Sequence, residues 1–228
     1  MSQMPTGARL LRLLHLCDSL FPTGGFAHSD GLEAATAAGL VATADDLRQW
    51  MAVCLDETLG RSDGPAVLMA VERFLAGRLG AIEELDAEVH ALRPSSAARR
   101  ASRAMGARLM KTWQRMHPHP DIERLLVRAD RGHTLPVAFG VVCASTRLDA
   151  RTAAEAFIYT RLAATVSCAM RLMPIGQAEA HAVLASVLAG VPDAVDAMVA
   201  RRQVEAFAPA LDVVVMSQQY VRSRLFRS

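Results

Sequence analysis

The side chains able to do chemistry are thinly spread in this sequence. Four cysteines, Cys17, Cys54, Cys143 and Cys168, stand far apart in apolar surroundings, and no two have the Cys-x-x-Cys spacing of a zinc or redox site. They read as free thiols packed as small hydrophobes in a reducing compartment. The histidines, at 15, 28, 90, 117, 119, 133 and 181, include no His-x-x-x-His pair on one helical face. His117 and His119 flank Pro118, a spacing that could bring two imidazoles to one metal. With no Cys, Asp or Glu beside them before Asp121, a solvated loop is the favoured reading, although imidazole suits nickel and leaves a transient contact open. His-Glu-x-x-His does not occur. Glu83, Glu84, Asp86 and Glu88 are spaced like the solvated face of a helix. A phosphate-binding P-loop ends in Gly-Lys-[Ser/Thr], and the only lysine, Lys111, follows Met110. The chain is therefore not a P-loop nucleotidase, and no cofactor is expected.

Basic residues make the most distinctive charge pattern. Between Glu88 and Asp121 there is no acid, while Arg93, Arg99, Arg100, Arg103, Arg108, Lys111 and Arg115 all fall there. The net charge of +2 is too small to imply nucleic acid by itself. Arginine pairs well with carboxylates and phosphates, so an acidic protein partner is one reading of this face. RNA is the other, weakened by the lack of interleaved aromatics.

The elements that must position these residues are helical. Of 228 residues, 52% are hydrophobic and only 5% aromatic, a balance rich in Ala, Leu and Met that favours closely packed helices over strands. That length builds one sizeable domain. Helices are expected over Ala8–Cys17, Ala27–Ala38, from Thr43 as N-cap to a stop at Gly60, Gly64–Ala76, Gly80–Leu92 and Ser95–Met116. Others follow over Ile122–Ala129, Pro136–Ser145, Asp149–Met170, Pro174–Ala189 and Pro192–Phe207. Ala98, Met105, Leu109, Trp113 and Met116 form one apolar stripe, with the bases opposite. The expectation is an all-α, single-domain bundle of about ten helices over residues 1–215, with 216–228 as a C-terminal tail. The start of the chain lacks the pattern of a signal peptide, and no uncharged apolar run approaches 18 residues, so a cytoplasmic protein without a membrane span is expected.

The segment from Leu13 to Glu33, LLHLCDSLFPTGGFAHSDGLE, resembles the N-terminal signature of the UreF family of urease accessory proteins. Ala101–Gly106, the Arg171–Gln177 junction with its Pro-x-Gly-Gln core, and the Ser223–Ser228 terminus are similar to further elements of that family. The resemblance implies an all-α, non-catalytic homodimer. It would stand between UreD (also called UreH) and the GTPase UreG in the complex that delivers nickel to apo-urease, with neither nucleic acid nor membrane as partner. It further implies partner-binding roles for Phe21, Pro22, Gly24, Gly25, His28, Gly31, Glu33, Arg171, Pro174, Gly176, Gln177, Tyr220, Arg224, Leu225 and Phe226. The tail is expected to order on partner binding. Where some family members carry a His and a second aromatic before the terminal Ser-Arg-Leu-Phe, this chain has Gln218 and Arg222, which puts a metal-touching tail in doubt. An alternative from another class is a GTPase-activating protein that lends UreG a catalytic arginine.

Overall fold

A computed structural model describes residues 6–129, 131–222 and 225–226 of the chain. Among the described residues there are twelve α-helical segments and no strand. They are α1 (Thr6–Cys17), α2 (Leu32–Ala37), α3 (Ala44–Val53), α4 (Gly64–Leu75), α5 (Leu79–Ala91), α6 (Ser96–Met116), α7 (Pro120–Arg128), α8 (Leu135–Ser145), α9 (Ala150–Leu172), α10 (Gln177–Leu188), α11 (Val191–Arg201) and α12 (Pro209–Ser217). A π-helical stretch, Cys54–Asp63, joins α3 to α4 as one rod, and α10 runs on into α11 as a second, which leaves ten rods. The all-helical expectation is met.

Helix α8 sets the arrangement. Its residues from Leu135 to Ala144 are all buried, and a helix with no polar face must be enclosed on every side. Helices α4, α6 and α9 pack around it. Small residues make this close: a Cβ on Gly140 would lie 2.7 Å from the carbonyl oxygen of Val67 and 2.8 Å from the methyl of Ala70. The α6 stripe of Met105, Leu109 and Trp113 turns inward as expected, joined by Met110, Ser102 and Gly106, while Met116 at its end is exposed. The α10–α11 run is long and apolar enough to cross a membrane by length and composition alone. Its buried residues, Ala180, Val183, Leu184, Val187, Val191, Val195 and Met198, fall on one stripe, which packs on α3, α9 and the π-helical stretch.

Thr43 caps α3 as its sequence predicts. Its hydroxyl accepts the Asp46 N–H at 3.2 Å, and the Asp46 carboxylate accepts the N–H groups of Thr43 and Ala42 at 2.9 and 3.0 Å. Those bonds hold the Asp46 carboxyl below its ordinary pKa. Gly60, by contrast, does not end a helix. The Gly64 N–H reaches back five residues to the Leu59 carbonyl, and a Cβ on Gly60 or Gly64 would lie 2.7 or 2.6 Å from the carbonyl five before it. Glycine here lets the wide turns close instead of breaking them. Three further boundaries differ from expectation. The second helix begins only at Leu32, because Asp30 and Gly31 take left-handed backbone. Helix α11 stops at Arg201, where Arg202 is left-handed. Helix α12 occupies residues to which no expected helix was assigned, with Pro209 in its first turn.

Two polar readings are corrected by burial. Asp86 is not on a solvated face: it is buried, accepts the Thr134 N–H at 2.6 Å and pairs with Arg103 at 3.2 Å. His117 and His119 are half-buried rather than loop residues in water. His117 lies against Trp113, and His119 lies against Phe74 while its Nδ1 accepts the Asp121 N–H to cap α7. No group of three or more His, Cys, Asp or Glu among the described residues is placed to hold a metal. Burial pushes the Cys17 and Cys54 thiols up to about 12 and that of Cys168 to about 11, far from a reactive thiolate.

The loop entering α8 crosses α6 at Gly106, where a Cβ would lie 2.1 Å from the His133 carbonyl oxygen. Gly106→Ala must push backbone apart, and a loss of about 1–3 kcal/mol in urea unfolding is expected. His133 itself is buried, and desolvation first, then Arg103, lowers its pKa against the opposing pull of Asp86 and Glu83. The folded state thus resists a proton that the unfolded chain accepts below about pH 6.5. Stability from this group is full above that pH and falls as pH drops through the window below it. Urea unfolding at about pH 7.5 and about pH 5.5 should show this loss, and His133→Gln should shrink the difference.

Candidate docking surface

The Leu13–Glu33 segment comprises the end of α1, a series of tight turns and the start of α2. Asp18 accepts the Leu20 N–H at 2.7 Å and closes the turn after α1. Phe21 is buried, with its ring 6.3 Å from Trp113 and 5.4 Å from His15. Gly24 is left-handed at φ 78°, followed by one 3₁₀ turn, Gly25–Ala27. Gly31, at φ 88°, then starts α2, and a Cβ there would lie 2.9 Å from the Val215 side chain and 3.3 Å from its Cα. Glycine is thus required twice over, by backbone and by the approach of α12.

Glu33, in the first turn of α2, is 3% exposed. Its carboxylate accepts Nε2–H of Gln218 at 2.5 Å and the backbone N–H groups of Leu225 and Phe226 at 2.5 and 3.3 Å. Gln218, 4% exposed, uses its other amide atom to accept the Ala34 N–H at 3.0 Å. The residue that weakened a metal role for the tail is therefore the strut that joins α2 to the tail. Arg171 completes the seat from the end of α9. Its guanidinium carbon is 4.3 Å from the ring centroids of both Phe26 and Phe226, and Nη1 donates to the Phe26 carbonyl at 3.2 Å. Phe226 is 3% exposed. Nearby, the Cys168 thiol donates to the His28 carbonyl at 3.4 Å, and Arg161 pairs with Asp30.

The structure brings together Gly31, Glu33, Arg171, Leu225 and Phe226, with His28 alongside. Phe21, Gly24 and Gly25 instead face α6, where a Cβ on Gly24 would strike the Arg108 guanidinium and one on Gly25 would lie 3.7 Å from the Met105 sulfur. Pro22 is exposed beside them. Pro174, Gly176 and Gln177 are exposed at the turn from α9 to α10, and nothing within 4 Å of Gly176 demands a glycine. Tyr220 and Leu225 point outward at 79% and 61% exposure, so the seat is covered by a surface that still offers apolar groups. Arg224 lies outside the described residues. Two members were not among the expected partner-binding residues, Phe26 and Gln218. Phe26 was legible only as part of the signature, and Gln218 carried no local signal because its partner lies 185 residues away.

A cavity of about 150 Å³ opens beside this seat, between the π-helical stretch and α9. Its charged walls include two mutually neutralised pairs, Asp63 with Arg93 and Asp30 with Arg161, together with Glu57 and Asp212. They form no nucleophile–base set.

Hydrogen bonds to a buried charged acceptor contribute about 1.5–3 kcal/mol each. Glu33→Ala removes all three acceptor contacts and is expected to free the tail from α2. Hydrogen exchange at the Leu225 and Phe226 amides reads this directly: protection in the parent chain, loss in the variant, with the α8 amides unchanged.

A family model described as UreF matches residues 41–188. The chain is 33% identical to a urease accessory protein UreF from Methylibium petroleiphilum over 98% of its own length and 96% of that protein. It is 31% identical to one from Ralstonia pickettii over 99% of this chain and all of that protein. A bifunctional urease accessory protein UreEF from Bordetella bronchiseptica is 30% identical over 96% of this chain, which covers 52% of that longer protein. The chain belongs to the UreF family of urease accessory proteins.

Proposed function

We propose that this chain is a non-catalytic scaffold, dimeric and cytoplasmic, that links UreD (UreH) to the GTPase UreG for GTP-dependent nickel delivery to apo-urease. The observation that carries this reading is the Glu33 seat. It gathers the signature, the end of α9 and the tail into one surface, and leaves Tyr220, Leu225 and Phe26 exposed upon it. Exposed aromatic and aliphatic groups held on a rigid base are the usual anchors of a protein interface. The missing P-loop fits a division of labour in which the nucleotide chemistry belongs to the partner. The joined UreEF relative supports association with other urease accessory proteins.

The test is co-expression of the chain with UreD, UreG and urease from one host. Tyr220→Ala with Leu225→Ala leaves the buried seat intact and removes two exposed anchors. A loss of about 2 kcal/mol or more, roughly 30-fold in the Kd for UreD, is expected, with lower nickel occupancy of urease. Undiminished UreD binding would remove the tail from the interface, and full nickel occupancy without the chain would remove the scaffold reading.

A further inference from the structure

Helix α6 carries a second surface, separate from the Glu33 seat. Three of the seven bases expected on an open face are committed internally: Arg93 to Asp63, Arg99 to the carbonyl of Pro94 at 3.0 Å, and Arg103 to Asp86 and His90. The other four, Arg100, Arg108, Lys111 and Arg115, are exposed, and no described residue forms an ion pair or hydrogen bond with them. At 100° per residue they fall within an arc of about 80°. At 1.5 Å per residue they extend over about 22 Å of helix.

The rest of the arc is alanine, with Ala104 between the cations and Ala97 on the same line one turn before Arg100. Arg108 rests on the bare face of Gly24, where a Cβ would lie 1.9 Å from its Nη1. The Gly24–Gly25 turn is thus a shelf for a guanidinium. We propose that this arc docks an acidic helix of a partner protein. Alanines allow a helix axis to approach within about 8–10 Å, where carboxylates one turn apart meet guanidinium groups in paired hydrogen bonds. The arc has no aromatic on which a base could stack, which favours protein over single-stranded RNA. This surface does not rest on the urease reading.

Lys111 makes the test specific, because it is the only lysine in the chain. The probes are a fluorescent helical peptide of about 20 residues, long enough to cover the arc at 1.5 Å per residue, with Glu at every fourth position, its Gln counterpart, and a single-stranded RNA of similar length. Binding to the full chain is followed by anisotropy, then by carbodiimide cross-linking, which joins a lysine amine to a carboxylate.

The Glu peptide should bind, the Gln peptide should not, and the cross-link should fall on Lys111. Arg108→Glu with Arg115→Glu should weaken binding by at least about tenfold. Arg48→Glu with Arg124→Glu, at arginines already paired with Asp45 and Asp121, should leave it unchanged. The proposal is overturned if the Glu peptide does not bind, if both double variants behave alike, or if the cross-link maps to the amino terminus. Tighter binding of the RNA at the same salt would overturn it too, and assign the arc to nucleic acid.

Discussion

The Glu33 carboxylate is the point on which the two ends of this chain depend. A buried carboxylate is costly unless its oxygens are fully hydrogen-bonded, and Glu33 finds its donors in a side chain and two backbone amides from the last eleven residues. The dependence is mutual. Without the tail, Glu33 would lose three of its hydrogen-bond donors; without Glu33, the Leu225 and Phe226 amides would lose their acceptor. Arg171 then stacks between Phe26 and Phe226, which makes the seat a joint of three elements rather than two. The exposed groups around it inherit their positions from that joint.

Beneath the joint, the bundle supplies rigidity through helices that approach closely. Helix α8 has no polar stripe, so α4, α6 and α9 must wrap it, and Gly140 and Gly106 set how near α4 and the entering loop can come. Asp86 carries this constraint into the polar part of the protein. It accepts the Thr134 N–H at the start of α8 and pairs with Arg103 on α6. Arg103 in turn donates to His90 and to the Gly132 carbonyl, so one buried acid fixes the loop that feeds the central helix. The seat at α9 and the cationic arc on α6 are therefore attached to neighbours of the same central rod.

Legibility from sequence divides along the range of the interaction. Local signals were readable: the Thr43–Asp46 capping box, the inward stripe of Met105, Leu109 and Trp113, and the missing P-loop all lie within one helix or one motif. The failures involve partners far away or geometry that a residue alphabet hides. Gly60 looked like a stop, yet glycine also permits π-helical turns that crowd a carbonyl. Asp86 shared a spacing with Glu84 and Glu88, and only its partners 17 and 48 residues on distinguish it as buried. The family signature pointed to Glu33 and Phe226, but not to the fact that they touch. Pro174, Gly176 and Gln177 were named with them and lie at a separate exposed turn.

Arginine usage shows how one residue type can serve opposite ends. The sequence has 24 arginines for a single lysine, and counting them says only that guanidinium was available. Context decides the work. Arg103 and Arg93 neutralise buried acids, and Arg171 offers a flat cation to two rings, a geometry that a lysine ammonium matches poorly. Arg100, Arg108 and Arg115 have no such partner among the described residues, and no acid lies between Glu88 and Asp121 to supply one nearby in sequence. Four like charges on one arc raise the energy of the isolated chain through mutual repulsion, by an amount that salt screens but does not reverse. The same repulsion falls when carboxylates arrive from outside. The arc is therefore a feature that costs the free protein a little and favours the assembled one, the same physical logic as leaving Tyr220 and Leu225 uncovered on the Glu33 joint.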